Sequence, residues 1–102
     1  MNYFSTKIEK LIGGDIKDVS HFKADINYTS IHLKNGEKYM LSYTLKRFEE
    51  MLENSENFVR IHRKYIVNFD FVSNKGKYEV LLRDGQTLPI ARRKSNLNFV
   101  QL

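Results

Sequence analysis

The chain has no cysteine and no tryptophan, a single proline, and no apolar run near the roughly 20 residues that a bilayer-spanning helix needs. Without thiols there is no disulfide framework, no thiolate zinc or iron–sulfur site and no cysteine nucleophile, and a small fold without disulfides suits a reducing compartment. Residues 1–12 lack the basic-then-apolar order of a secretion signal, so a soluble, non-exported, cytoplasmic protein is expected. Histidine is scarce too. His21, His32 and His62 show no i, i+3 or i+4 pairing, and no metal or other cofactor is expected. There is no Gly-x-Ser-x-Gly elbow and no Gly-x-x-x-x-Gly-Lys-Ser/Thr phosphate loop, so a small-molecule enzyme is not expected either. One enzymatic alternative stays open: His62 with His21 or His32 as a metal-free ribonuclease site supported by Arg60 and Arg63, because phosphodiester cleavage needs only an acid, a base and cations.

What is present is enough for one domain spanning residues 1–102, with 41% hydrophobic residues to supply a core. Its net charge of +5 is unevenly placed. Residues 1–59 carry eight Lys and Arg against nine Asp and Glu, whereas residues 60–102 carry nine against three. Two clusters hold much of the excess, Arg60-Ile61-His62-Arg63-Lys64 and Arg92-Arg93-Lys94, with no acid within three residues of either along the chain. A single basic run is most simply a solvated face; two Arg-rich clusters in one small domain point as readily to a polyanion. A nonspecific polyanion or protein-interaction module is therefore the second alternative.

The pattern along the chain is one of short β segments and one helix. Residues 3–12 alternate imperfectly and stop at Gly13-Gly14, which predicts a strand; residues 16–22 form a second apolar segment, residues 23–25 a polar connection, and residues 26–33 a strand. Asn35-Gly36 signals a tight type I′ hairpin turn, with residues 37–43 returning. Leu45, Phe48, Met51 and Leu52 recur at helical spacing behind a Ser42 or Thr44 cap, with Glu49, Glu50 and Glu53 on a solvated face. Further strands are predicted at 58–62, 65–67, 69–73, 78–83 and 87–91, with Asp84-Gly85 as a second hairpin signal. Pro89 has no N–H and belongs at an edge, and Leu97, Phe99, Val100 and Leu102 can pack the tail.

The run Phe58-Val59-Arg60-Ile61-His62-Arg63-Lys64-Tyr65-Ile66-Val67-Asn68 resembles the F-x-R-x-H-x-x-[YF]-[ILV]-V-N signature of the LytTR (LytR/AlgR-type) DNA-binding domain of bacterial transcription regulators. The resemblance extends over residues 16–102: Asp18-Val19 opening an early strand, the Asn35-Gly36 turn, the helix before the signature, and Leu88-Pro89-Ile90-Ala91-Arg92 leading into a basic end. It implies an elongated, mostly β fold of short antiparallel sheets with one or two short helices, which presents loops rather than a recognition helix to the major groove. It further implies sequence-specific binding of double-stranded DNA at paired direct repeats. Two protomers then occupy the DNA, and nothing in the sequence argues for or against a solution dimer. The base contacts it implies fall at Asn27, Arg63 and Arg92; Lys23, Arg60, His62, Lys64, Arg93 and Lys94 suit phosphate contact or positioning. For Arg60 and His62 the alternative of holding the signature loop in shape weighs equally. Such domains commonly follow a receiver domain, for which 102 residues leave no room. The sequence is thus read either as an excised output domain or as a stand-alone regulator controlled by another route, such as a membrane-bound inhibitor.

Overall fold

In the computed structural model, residues 3–55 and 57–95 are described, and the predicted packing of Leu97, Phe99, Val100 and Leu102 lies outside them. The first element overturns a prediction. Residues 3–12 form not a strand but a helix, α1 (Tyr3–Ile12). Ile8 and Ile12, one turn apart, are both buried while Lys7 and Lys10 face water, so a four-residue spacing outweighs the imperfect two-residue alternation. The helix ends where Gly13, at φ +68°, and Gly14 both donate to the Glu9 carbonyl, at 3.0 and 3.2 Å.

A 3₁₀ turn at Ile16–Asp18, capped reciprocally by Asp15 and Asp18, leads into β1 (Val19–Ala24). Then come β2 (Thr29–Leu33), β3 (Lys38–Leu41), α2 (Leu45–Met51), β4 (Phe58–His62) and β5 (Tyr65–Asn68). The connection expected at 23–25 falls instead at 25–28, because Lys23 is drawn into β1 by pairing with Ser30 on one side and Tyr65 on the other. Thr44 caps α2, its Oγ1 accepting from the Arg47 N–H. The strand expected from residue 69 begins three residues later: Phe69–Phe71 is a 3₁₀ turn, capped by the Asn68 side chain, and β6 (Val72–Lys75) follows. Next are β7 (Glu79–Leu82), β8 (Thr87–Pro89) and a last 3₁₀ turn at Arg92–Lys94.

Two antiparallel sheets result, a five-stranded one in the order β3-β2-β1-β5-β4 and a three-stranded one in the order β6-β7-β8. Pro89 lies on an edge strand, where its missing N–H breaks no ladder. Alternation along the shared strands divides the core. Phe22, Ile31 and Ile66 stand in a row facing Ile8, Ile12, Leu45, Phe48 and Leu52 from the two helices. On the opposite face Ile61 and Val67 pack with Phe69, Val72, Val80, Leu82, Leu88 and Ile90 of the second sheet and its flanks. β4 and β5 are thus gripped between two apolar clusters, and the turn joining them springs from two strands that contribute to both.

Both predicted hairpin turns occur, with different geometry from the type I′ expectation. Only Gly36 (φ +95°) and Gly85 (φ +94°) have positive φ in them, and each donates to a carbonyl three residues back, on Leu33 and Leu82. The following Glu37 and Gln86 carbonyls accept from those same leucines, the arrangement of a type I turn closed by a glycine bulge. A Cβ at either glycine would meet nothing within 4 Å, so substitution is penalised by backbone conformation alone. Gly85→Ala is expected to cost about 1–2 kcal/mol, read as a lowered urea midpoint; an unchanged midpoint would contradict this turn assignment.

Candidate nucleic-acid interface

The ends of two other strands converge on the β4–β5 hairpin. The Ala24 N–H at the end of β1 donates to the Lys64 carbonyl at 2.8 Å, and the Ala91 N–H just beyond β8 donates to the Ile61 carbonyl at 2.8 Å. The β1–β2 tip, the β4–β5 turn and the basic 3₁₀ turn after β8 are thereby joined through main-chain bonds, which hold their relative positions more tightly than side-chain contacts would.

Arg60 organises the centre. Its Nε donates to the His62 carbonyl at 2.9 Å, one terminal nitrogen to the Arg63 carbonyl at 2.7 Å, and the other to Glu49 Oε1 on α2 at 2.8 Å. The Arg60 carbonyl in turn accepts from Lys94 Nζ at 2.8 Å. β4 carries a bulge between Arg60 and His62, which is what turns the arginine back onto its own loop. His62 Nδ1 accepts from the Lys64 N–H at 3.1 Å. Partial burial, then the cations Arg63, Lys64 and Arg60, lower the His62 pKa below the usual histidine value, which keeps that nitrogen an acceptor at neutral pH. Burial likewise lowers the Lys94 pKa, opposed by Glu49.

Two clefts flank this turn. One, of about 430 Å³, lies among Asn27, Ile26 and Tyr28 of the β1–β2 tip, residues 42–46, Arg60 and Arg63. The other, of about 270 Å³, is lined by Glu49, Arg60, His62, Arg63, Arg93 and Lys94. Of the nine residues singled out from the sequence, Asn27, Arg60 and Arg63 thus meet in one cleft, and Arg60, His62, Arg63, Arg93 and Lys94 in the other. Lys23 and Lys64 adjoin them through the β1–β5 pairing. Arg92 lines neither. Its guanidinium sits 5.2 Å from the centroid of the Tyr78 ring, which Lys77 also approaches at 5.3 Å, so the basic surface continues onto the β6–β7 turn.

Sequence reasoning missed two participants. Glu49 reads as solvated surface, yet it neutralises Arg60 across the fold; that contact joins residues eleven apart through tertiary structure and leaves no local signal. Tyr78 as a platform for Arg92 is equally silent, since the two residues are brought together only by the fold. His21 also departs from the ribonuclease alternative. It is 2% exposed, its Nδ1 bonded to Ser20 Oγ at 2.9 Å, and its ring is stacked on His32 at 4.3 Å with Tyr65 at 6.2 Å. A group so enclosed cannot meet a phosphodiester beside His62. Among the described residues no cluster of His, Asp or Glu is arranged to hold a metal ion, and no helix is long and apolar enough to cross a membrane.

Exposed Arg63, Lys64, Arg92 and Arg93 stand on adjoining loops of a two-sheet β domain, a concentration of positive charge of the kind that suits a polyanion. Comparison with known proteins goes further. A family model for the LytTr DNA-binding domain matches residues 9–98. Among solved structures, the chain is similar to the LytTr DNA-binding domain of a protein described as a methyl-accepting/DNA response regulator from Bacillus cereus. The two share 21% identity and a TM-score of 0.66, over 74% of this chain and 72% of that one. No curated protein matches the chain. The chain belongs to the LytTr DNA-binding domain family, whose work is DNA binding in transcription regulation.

Proposed function

We propose that the chain binds double-stranded DNA sequence-specifically, as a bacterial transcription regulator, by placing its three joined loops in the major groove at paired direct repeats. The observation that carries this reading is the mounting of Asn27, Arg63 and Arg92: exposed side chains with hydrogen-bonding ends, each on a loop tied by main-chain bonds to a buried framework. Asn can bond adenine N6 and N7 together, and Arg can bond guanine O6 and N7 together. Lys23, Lys64 and Arg93 are phosphate contacts, joined by the charge of Lys94. Arg60 and His62, whose bonds run inward to the turn itself, are positioning residues. Two protomers then lie side by side on the repeats, and control comes from a receiver domain or a membrane-bound regulator acting on this output surface.

Reading and positioning separate experimentally. Arg92→Ala is expected to cost about 1–3 kcal/mol and relax preference at one base position, whereas Arg93→Ala weakens all sequences alike and reduces the log K against log salt slope by about one. Titrations of a selected duplex and its single-position variants at several salt concentrations check this, and identical behaviour of the two variants would refute the division. Tyr78→Leu is expected to reproduce part of the Arg92→Ala effect by freeing the guanidinium, while Tyr78→Phe retains the ring and the affinity.

A further inference from the structure

At the tip of the β1–β2 connection an isoleucine stands in water beside the residues proposed to read bases. Ile26 is 95% exposed, whereas the other exposed large apolar residues among those described, Leu11, Tyr28, Met40, Tyr78 and Leu81, are each less than half exposed. Singly exposed apolar residues are ordinary on protein surfaces. Ile26 differs in its placement: it shares the cleft of Asn27 and Arg63, on a tip closed by the Asp25 N–H to the Tyr28 carbonyl at 2.8 Å. At 95% exposure this side chain contributes little to the core, yet the closed tip places it next to Asn27 and Arg63, the two residues proposed to read bases.

We propose that Ile26 is a specificity-determining residue that reads a thymine through its C5-methyl group, an inference that rests on the sequence-specific reading above. Hydrogen-bonding side chains sense only the O4 acceptor of thymine. The methyl group is the one apolar feature that distinguishes it in the major groove, and an aliphatic side chain is its natural complement. Contact between the two removes apolar surface of both from water, and the β-branched side chain has few χ1 rotamers to lose on ordering. Asn27, Ile26 and Arg63 then form an adjoining set able to favour adenine, thymine and guanine respectively.

The test begins with the preferred duplex recovered by the purified protein from a randomised pool. Each thymine in it is replaced singly by deoxyuridine, which keeps the pairing and removes only the methyl, and affinities are measured for the wild type and Ile26→Ala. The expected result is one thymine whose replacement weakens wild-type binding about three- to tenfold and leaves Ile26→Ala unaffected, Ile26→Ala itself being weakened by a similar factor on the parent duplex. If every uracil is neutral, or the sensitive position stays sensitive in Ile26→Ala, Ile26 does not read a methyl although the protein reads sequence. If Ile26→Ala binds the parent duplex as tightly as the wild type, the side chain serves another partner and the proposal fails. A pool that yields no motif overturns the sequence-specific reading itself, and this inference with it.

Discussion

Arg60→Lys is expected to weaken DNA binding about tenfold or more while leaving the net charge unchanged. The guanidinium serves three acceptors in different directions, the His62 and Arg63 carbonyls and Glu49, and a lysine ammonium at the end of a longer, thinner stem cannot satisfy all three. Both carbonyls belong to the turn that carries Arg63, so losing their donors releases the loop from the geometry in which Arg63 and its neighbours are held. Each charge-assisted bond contributes about 1.5–3 kcal/mol, discounted here because the Arg60 side chain keeps 19% and that of Glu49 47% of its exposure. A combined loss of about 2–3 kcal/mol, divided between folding and binding, is the expected scale. Thermal denaturation and anisotropy titration of the same variant separate the two parts. Glu49→Gln, which removes only the α2 anchor, falls between wild type and Arg60→Lys. If Arg60→Lys bound as tightly as the wild type, Arg60 would act through charge alone.

Acidification supplies the second large effect. Burial, reinforced by neighbouring His32 and by Lys23 and opposed by Asp84, lowers the His21 pKa from 6.5 to about 4. Between those values the unfolded chain takes up a proton that the folded chain refuses. Stability is therefore fully present above about pH 6.5, falls as the pH drops toward about 4, and loses nothing further from this residue below that. The gap corresponds to on the order of 3 kcal/mol, the same direction as the smaller contribution from His32, whose pKa burial also lowers. Urea denaturation at pH 7 and at pH 4.5 measures it. His21→Phe keeps a ring against His32 and cannot titrate, so most of the difference disappears in that variant. A midpoint unchanged between the two pH values in the wild type, or a difference retained in full by His21→Phe, would contradict the assignment.

The contrast between His21 and His62 illustrates what the chain's pattern reveals. Strand β4, the turn after it and the start of β5 were legible because their residues are consecutive: apolar and polar positions alternate into Arg63-Lys64 and resume at Tyr65. The α2 stripe and the Thr44 cap were legible for the same reason. Helix α1 was misread: Phe4, Ile8 and Leu11 follow the i, i+4, i+7 spacing of a helix and break strict alternation at Leu11, and packing of Ile8 and Ile12 under the five-stranded sheet follows the helical period. Asn35-Gly36 located a turn without fixing its type, because glycine alone supplies the positive φ when the preceding two residues adopt right-handed conformations. Positive charge along the chain located the loops on which Arg63, Lys64, Arg92 and Arg93 stand exposed. Which cations are free there depended on Glu49, Tyr78 and the bulge at Ile61, all of them products of tertiary geometry.

The central claim is that these loops read sequence. Selection of a randomised duplex pool by the purified protein at about 150 mM salt, followed by sequencing, tests it most directly. The account predicts enrichment of a short motif, present as two copies in the same orientation at a fixed spacing. Retention of DNA without any enrichment would contradict it, leaving Arg63, Arg92 and their neighbours as a surface for phosphate alone.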